Sequence, residues 1–161
     1  MQVAVLSDTH MPRGSRRLPE TCVALLGRAD LILHAGDFTA AGVLAELQEL
    51  GPVEAVHGNM DDVELHASLP ERQVVEAGPV RIGMLHDAGR REGREARLVA
   101  AFPGCAAVVY GHSHLPQVSR HQGVWILNPG SPTERRRAPQ PTMIALELEG
   151  EELRPRLIAL G

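Results

Sequence analysis

Apolar positions in this chain follow two rhythms in turn. Residues 3–6 and 31–33 are apolar runs of strand length, and the stretch between them has helical spacing. A first helix is predicted to open near Pro19, a residue tolerated in a first turn, and to close near Gly27. Thr39 reads as the cap of a second helix that carries Val43, Leu44, Leu47 and Leu50 on one face. Residues 53–56 read as a third strand. The order β-α-β-α-β predicts parallel strands joined by right-handed crossovers.

The second half changes character. Residues 73–76 and 80–85 flank Ala77-Gly78-Pro79 and predict a hairpin. Leu98, Val99 and Phe102 indicate a third helix, followed by strands at 106–110, 123–127, 143–149 and 153–158. So many strands are best buried as two packed sheets with helices outside. The one long loop, between Pro129 and Pro141, carries the arginine run 135–137, which reads as a solvated face with a phosphate-recruiting role as the alternative.

Polar residues gather where strands end. The first run is followed by Asp8-Thr9-His10, the second by His34-Ala35-Gly36-Asp37, and the third by His57-Gly58-Asn59-Met60-Asp61. Leu85 is followed by His86, and Tyr110 by Gly111-His112-Ser113-His114. Sites in open α/β sheets form beyond the carboxyl ends of strands, so five strands deliver Asp, His or Asn to one edge. Asp8 with His10, and His112 with His114, are two apart, which on an extended chain puts both side chains on one side. Gly36, Gly58 and Gly111 each precede one of these polar residues, where a sharp turn or close backbone approach is expected. Carboxylate, imidazole and amide without thiolate suit Mn, Fe, Ni or Zn better than Ca or a structural zinc site. Each motif alone is weak. A lone Asn59 is more often a turn residue, and a lone His86 a satisfied core histidine.

Composition narrows the class. The chain has 161 residues, the length of a single domain spanning 1–161, and 43 % are apolar. Aromatics are only 2 %, so the core is expected to be aliphatic. All 16 basic residues are arginine, and the net charge of −4 argues against a broad basic face for nucleic acid. Cys22 and Cys105 form no metal or redox motif and read as buried thiols of a cytoplasmic protein. No secretory leader or membrane-spanning run is read from the sequence.

In their order, Asp8-x-His10, Gly36-Asp37, Gly58-Asn59, His86 and Gly111-His112-x-His114 resemble the calcineurin-like phosphoesterases. Asn128-Pro129-Gly130-Ser131 and the short length resemble the family's small bacterial and archaeal phosphodiesterase branch, which also includes the retromer subunit fold. The resemblance covers nearly the whole chain and implies a four-layer α/β/β/α sandwich. It also implies two divalent transition-metal ions, Mn first, with Fe, Ni, Co or Zn as alternatives. One would take Asp8, His10, Asp37 and His114; the other Asp37, Asn59, His86 and His112, with Asp37 bridging. Asp37, Asn59 and His112 are then closest to the chemistry, the hydrolysis of a small phosphate ester by a hydroxide between the metals. Two such ions with Asp8, Asp37 and the hydroxide retain about one positive charge, which draws an anion to an acidic protein.

Two positions depart from the family pattern. Met60 stands where many larger relatives place a histidine that assists the leaving group, though the small branch commonly lacks it. Asp87 stands where a glycine is usual, and a metal contact, an orienting role toward His86 and a solvent-facing role are all open. His34 is expected to be structural, and His57, His66 and His121 turn or surface residues. The competing expectation is a metal-binding scaffold for other proteins, and association of identical copies is left open.

Overall fold

The computed structural model describes residues 1–11 and 16–161. Strand β1 (Gln2–Leu6) starts a first sheet with β2 (Leu31–His34) and β3 (Val53–Ala55), in parallel. Helices α1 (Glu20–Leu26) and α2 (Ala41–Leu50) lie between them in the chain, as the periodicity predicts. A short helix α3 (Val63–Ser68) leads to β4 (Arg72–Ala77), which forms a hairpin with β5 (Val80–Leu85). Helix α4 (Arg94–Ala101), β6 (Ala107–Val109), β7 (Gln117–His121) and β8 (Val124–Asn128) follow. The chain then returns to the first sheet through β9 (Thr142–Glu149) and β10 (Glu152–Ala159), which form an antiparallel pair.

The strand orders are β10-β9-β1-β2-β3 and β4-β5-β6-β8-β7. Between the two sheets, Val3, Val5, Leu31 and Leu33 meet Ile82, Met84, Val109 and Leu127 in one buried cluster. On the outer face of the first sheet, Ala4, Leu6 and Ile32 pack with Cys22, Leu26, Val43, Leu47 and Leu65 from α1, α2 and α3. Leu98 and Phe102 cover Val108 and Ile126 on the outer face of the second. The result is the four-layer α/β/β/α sandwich. Strands β1 and β2 are buried on both faces, which is why they read as continuous apolar runs rather than alternating ones. Both cysteines are buried and free.

Two elements had little sequence signal. Helix α3 has six residues, and its Val63 is 86 % exposed. Strand β7 is an edge strand with valine as its one aliphatic residue. Thr39 is not the cap of α2: it adopts a positive φ of 85°, and its hydroxyl donates to Met11 O at 2.6 Å. Asp62 serves instead, accepting from Ala41 N at 3.0 Å and, as the cap of α3, from Leu65 N at 2.9 Å. A long-range carboxylate thus replaces the local hydroxyl, and no local pattern announces it.

Gly42, in the first turn of α2, has open space where a Cβ would go. Gly42→Ala is therefore expected to stabilise the fold by about 0.4–1 kcal/mol by restricting the unfolded chain. Denaturant unfolding that shows a loss of stability would contradict that reading of the site.

Candidate metal centre

Five strands stop at one edge of the sandwich, and the segments after them converge. Two groups of ligand atoms form, Asp8 with His10 and His114, and Asp37 with His86 and His112, each within 4.8 Å of one another. Asp8 Oδ1 lies 3.7 Å from His10 Nε2 and 3.4 Å from His114 Nε2. Asp37 Oδ2 lies 3.6 Å from His10 Nε2 and 3.2 Å from His86 Nε2, so this oxygen stands between the groups. Asn59 Oδ1 is 3.1 Å from His86 Nε2. All seven residues singled out by sequence are thus gathered at one place.

Convergence is not achieved by extended chain. Asp8, His10, Asp37, His112 and His114 have φ values of 57°, 44°, 63°, 70° and 61°. Left-handed backbone in non-glycine residues costs free energy and clusters at functional sites, where the surroundings enforce it. The Asp8/His10 and His112/His114 pairs therefore meet through turns, not through the two-residue repeat of a strand. The glycines leave room for this. A Cβ on Gly36 would come within 2.8 Å of His86 Nδ1 and Gly58 N. A Cβ on Gly58 would overlap the Asp37 carboxylate, and one on Gly111 would overlap Ser7 Oγ.

Hydrogen bonds aim the ligands. His86 Nδ1 donates to Ala35 O at 2.7 Å, and His114 Nδ1 to Glu134 O at 2.6 Å. Both bonds fix the tautomer that leaves a lone pair on Nε2, the arrangement typical of metal-binding imidazoles. Asp37 Oδ1 accepts from Met60 N at 2.8 Å, which turns Oδ2 toward the histidines. Ser7 Oγ and His112 N donate to Asp8 Oδ2 at 2.8 and 3.0 Å, leaving Oδ1 for the cluster.

Burial works against charge on Asp8, yet the neighbouring His10 and His114 imidazoles hold its carboxyl well below the usual range. Burial also opposes ionisation of Asp37, and His86 together with the Met60 N–H outweighs it and keeps the carboxyl low. For His86 burial disfavours the cation, and Asp37 and Asp8 more than reverse this, raising its pKa. Asp8 Oδ1, His10 Nε2 and His114 Nε2 are all shielded from solvent and without a hydrogen-bond partner. Three unsatisfied polar atoms aimed at one point are costly unless a cation fills it, so the donor set fits a divalent metal.

Several residues support the ligands in ways the sequence did not announce. Asp61 is buried and accepts from Asp37 N at 3.0 Å, Gly58 N at 2.6 Å and Thr39 N at 2.9 Å, tying the second and third ligand segments together. Asn128 Nδ2 donates to Gly111 O at 3.2 Å, and Ser131 Oγ donates to Asp8 O at 2.8 Å. The Asn-Pro-Gly-Ser segment is therefore a brace for the first and last ligand loops. Its motif was visible, but its hydrogen bonds were not.

The other histidines lie outside both groups. His34 is buried, with Nδ1 accepting from Gly36 N at 3.1 Å and Nε2 3.2 Å from Thr9 Oγ1. Burial, opposed only in part by Asp8 and Asp37, pulls its pKa down to about 3, so it is a neutral structural residue. His57 packs on His66, and His121 lies 3.5 Å from Glu95. Asp87 is exposed and accepts from Gly89 N at 2.8 Å, which makes it a turn residue. The arginine run 135–137 is exposed, with Arg135 bonded to Ala138 O at 2.9 Å in its own loop.

A two-sheet sandwich that presents paired carboxylate and imidazole groups at one edge defines a metal-binding α/β domain. The chain belongs to the calcineurin-like phosphoesterase superfamily, whose domain description it matches over residues 1–151. A probable metallophosphoesterase of Methanothermobacter thermautotrophicus is 34 % identical, with 100 % of this chain and 94 % of that protein covered. An archaeal phosphodiesterase structure shares the fold with a TM-score of 0.74 at 20 % identity, covering 98 % of this chain and all of that one. Vps29 of Entamoeba histolytica, solved with zinc, superposes with a TM-score of 0.77 at 23 % identity over the whole of both chains. The family implies a hydrolase of phosphate esters that uses divalent metal ions. Among the described residues, no helix is long and apolar enough to cross a membrane.

Proposed function

We propose that the chain is a metal-dependent phosphodiesterase of the cytoplasm, acting on a small phosphate ester with two divalent ions, manganese first among them. The observation that carries this is the placement of Asp37 Oδ2 between the Asp8/His10/His114 and Asp37/His86/His112 groups. The archaeal structural neighbour is described as a phosphodiesterase, which supports the diester reading. When bound, the ions supply an activated water and positive charge for the phosphoryl oxygens.

The chain's own groups do the positioning. Asp8, His10, Asp37 and His114 would hold one ion; Asp37, Asn59, His86 and His112 the other. Asn59 and His112 are exposed, whereas the other five candidate ligands are buried, so these two form the face that meets substrate. Asn59 adds no charge, and its amide is suited to donate to a phosphoryl oxygen. The gathering of all seven candidate ligands at one place supports turnover over a purely structural scaffold, which has no need of the exposed pair.

Leaving-group protonation is the weak point. Met60 is 50 % exposed beside Asn59 and offers no proton. Aryl phosphodiesters are therefore expected to react at least about 100-fold faster than alkyl ones, since general acid catalysis is typically worth about 10²–10⁴. Met60→His is expected to narrow that gap. The test is a panel of aryl and alkyl phosphodiesters and monoesters assayed with the manganese-loaded protein. Equal rates for aryl and alkyl diesters, with chemistry rate-limiting, would show that another acid is present. Hydrolysis of monoesters alone would overturn the diester assignment.

A further inference from the structure

Beside the His86 and His112 loops lies a cleft of about 730 Å³, lined among others by Arg91, Arg94, Glu95, Tyr110, Leu115 and Gln117. Two links join it to the metal centre. Ser113, the residue after His112, also lines it. Arg94 Nη2 donates at 2.8 Å to the carbonyl of Gly89, three residues beyond His86. A cleft of this size takes a group as large as a nucleoside.

Arg94 is the unusual member. Its Nη1 donates to the Tyr110 hydroxyl at 3.3 Å, and its guanidinium carbon sits 5.3 Å from the Tyr110 ring centroid. Its Nε is shielded from solvent and has no partner. Both bonded partners are neutral oxygens. Among the described residues, no carboxylate lies within ion-pair distance of Arg94 or Arg91, whereas Arg16 pairs with Glu134 and Arg154 with Glu152. Glu95, the acid in the cleft, is engaged elsewhere: Gln117 Nε2 donates to its Oε1 at 2.9 Å, and His121 Nδ1 lies 3.5 Å from its Oε2. Arg97 fixes the wall, donating to the carbonyls of Ala88, Arg90 and Glu92.

The cleft thus holds a guanidinium already held in one orientation by neutral oxygens, its charge unpaired by any carboxylate among the described residues. Such a group has lost its conformational freedom in advance and matches an oxyanion. We propose that this cleft is an anion subsite, in which Arg94 recognises a phosphate or carboxylate on the alcohol arm of a substrate whose scissile phosphate sits at the metal centre. This rests on the phosphodiesterase reading and narrows its substrate class to esters with a second, remote negative charge.

The test uses non-hydrolysable methylphosphinates, in which a P–C bond replaces the scissile P–O bond and the single negative charge is kept, with an arm that ends in a phosphonate standing in for phosphate, a carboxylate or a neutral amide. Binding to manganese-loaded wild type, Arg94→Gln and Arg94→Lys is measured by calorimetry, with thermal unfolding as a check on each variant. Wild type is expected to favour the anionic arms by about tenfold, the worth of one charge-assisted hydrogen bond. Arg94→Gln is expected to abolish that preference while binding the amide arm within about twofold of wild type, and Arg94→Lys to restore part of it. The relative strength of the phosphonate and carboxylate arms identifies the anion. No preference in wild type, or equal weakening of all three ligands by Arg94→Gln, would overturn the subsite. Hydrolysis of a plain aryl diester is scored separately and reports on the catalytic reading, not on Arg94.

Discussion

Asp37→Asn is expected to lower hydrolysis of an aryl phosphodiester by at least about 10³-fold, the scale of losing a preorganised transition-state group. The reason is geometric as well as electrostatic. Oδ1 accepts from Met60 N, so an asparagine at this position keeps its carbonyl there and turns its amide nitrogen toward His10 and His86. A donor then stands where both metal groups need an acceptor. Metal content should fall at both groups, whereas Asp8→Asn should chiefly weaken one. The fold should survive, with the metal-free unfolding midpoint changed by no more than about 4 °C, because the apolar clusters do not include residue 37. His34→Gln is the control, three residues upstream and in neither group, and should keep activity if folded.

Gly58→Ala is the second large effect and comes from a single methyl group. The added carbon would lie 2.6 Å from Asp37 N, 2.8 Å from Asp37 Cγ, and in overlap with Oδ1. Asp37 cannot yield, because Asp61 holds its N–H and that of Gly58 with one oxygen. Displacement of the bridging carboxylate is expected to cost about 100-fold or more in rate. Overpacking is expected to remove about 1–3 kcal/mol of stability. Kinetics with thermal unfolding separates the two losses. Wild-type turnover in Gly58→Ala would mean that the position of Asp37 does not govern the chemistry.

What could be read from the sequence follows from what is local. Strands β1 and β2 are buried on both faces, so their apolar runs were visible, and the ligands stood out as polar residues directly after them. Helix α3 and strand β7 were not visible, because one is short and the other has little apolar content. The ligand set was legible as residue types in order. The geometry that joins it was not: the left-handed turns at Asp8, His10, Asp37, His112 and His114 depend on contacts between segments far apart in the chain. For the same reason the bracing roles of Asp61, Asn128 and Ser131 could not be read, although Asn128 and Ser131 stood in a visible motif: each braces a ligand loop through bonds to distant backbone. Asp62 displaced Thr39 as the cap of α2 by reaching across from another segment.

The most direct test of the paired-metal account is a titration of manganese into metal-stripped protein while hydrolysis of an aryl phosphodiester is followed. With protein well above the dissociation constants, activity is expected to rise until about two ions are bound per chain and then level off, since the ligands form two groups sharing Asp37. Full activity at one ion per chain, or no hydrolysis at any loading, would contradict it.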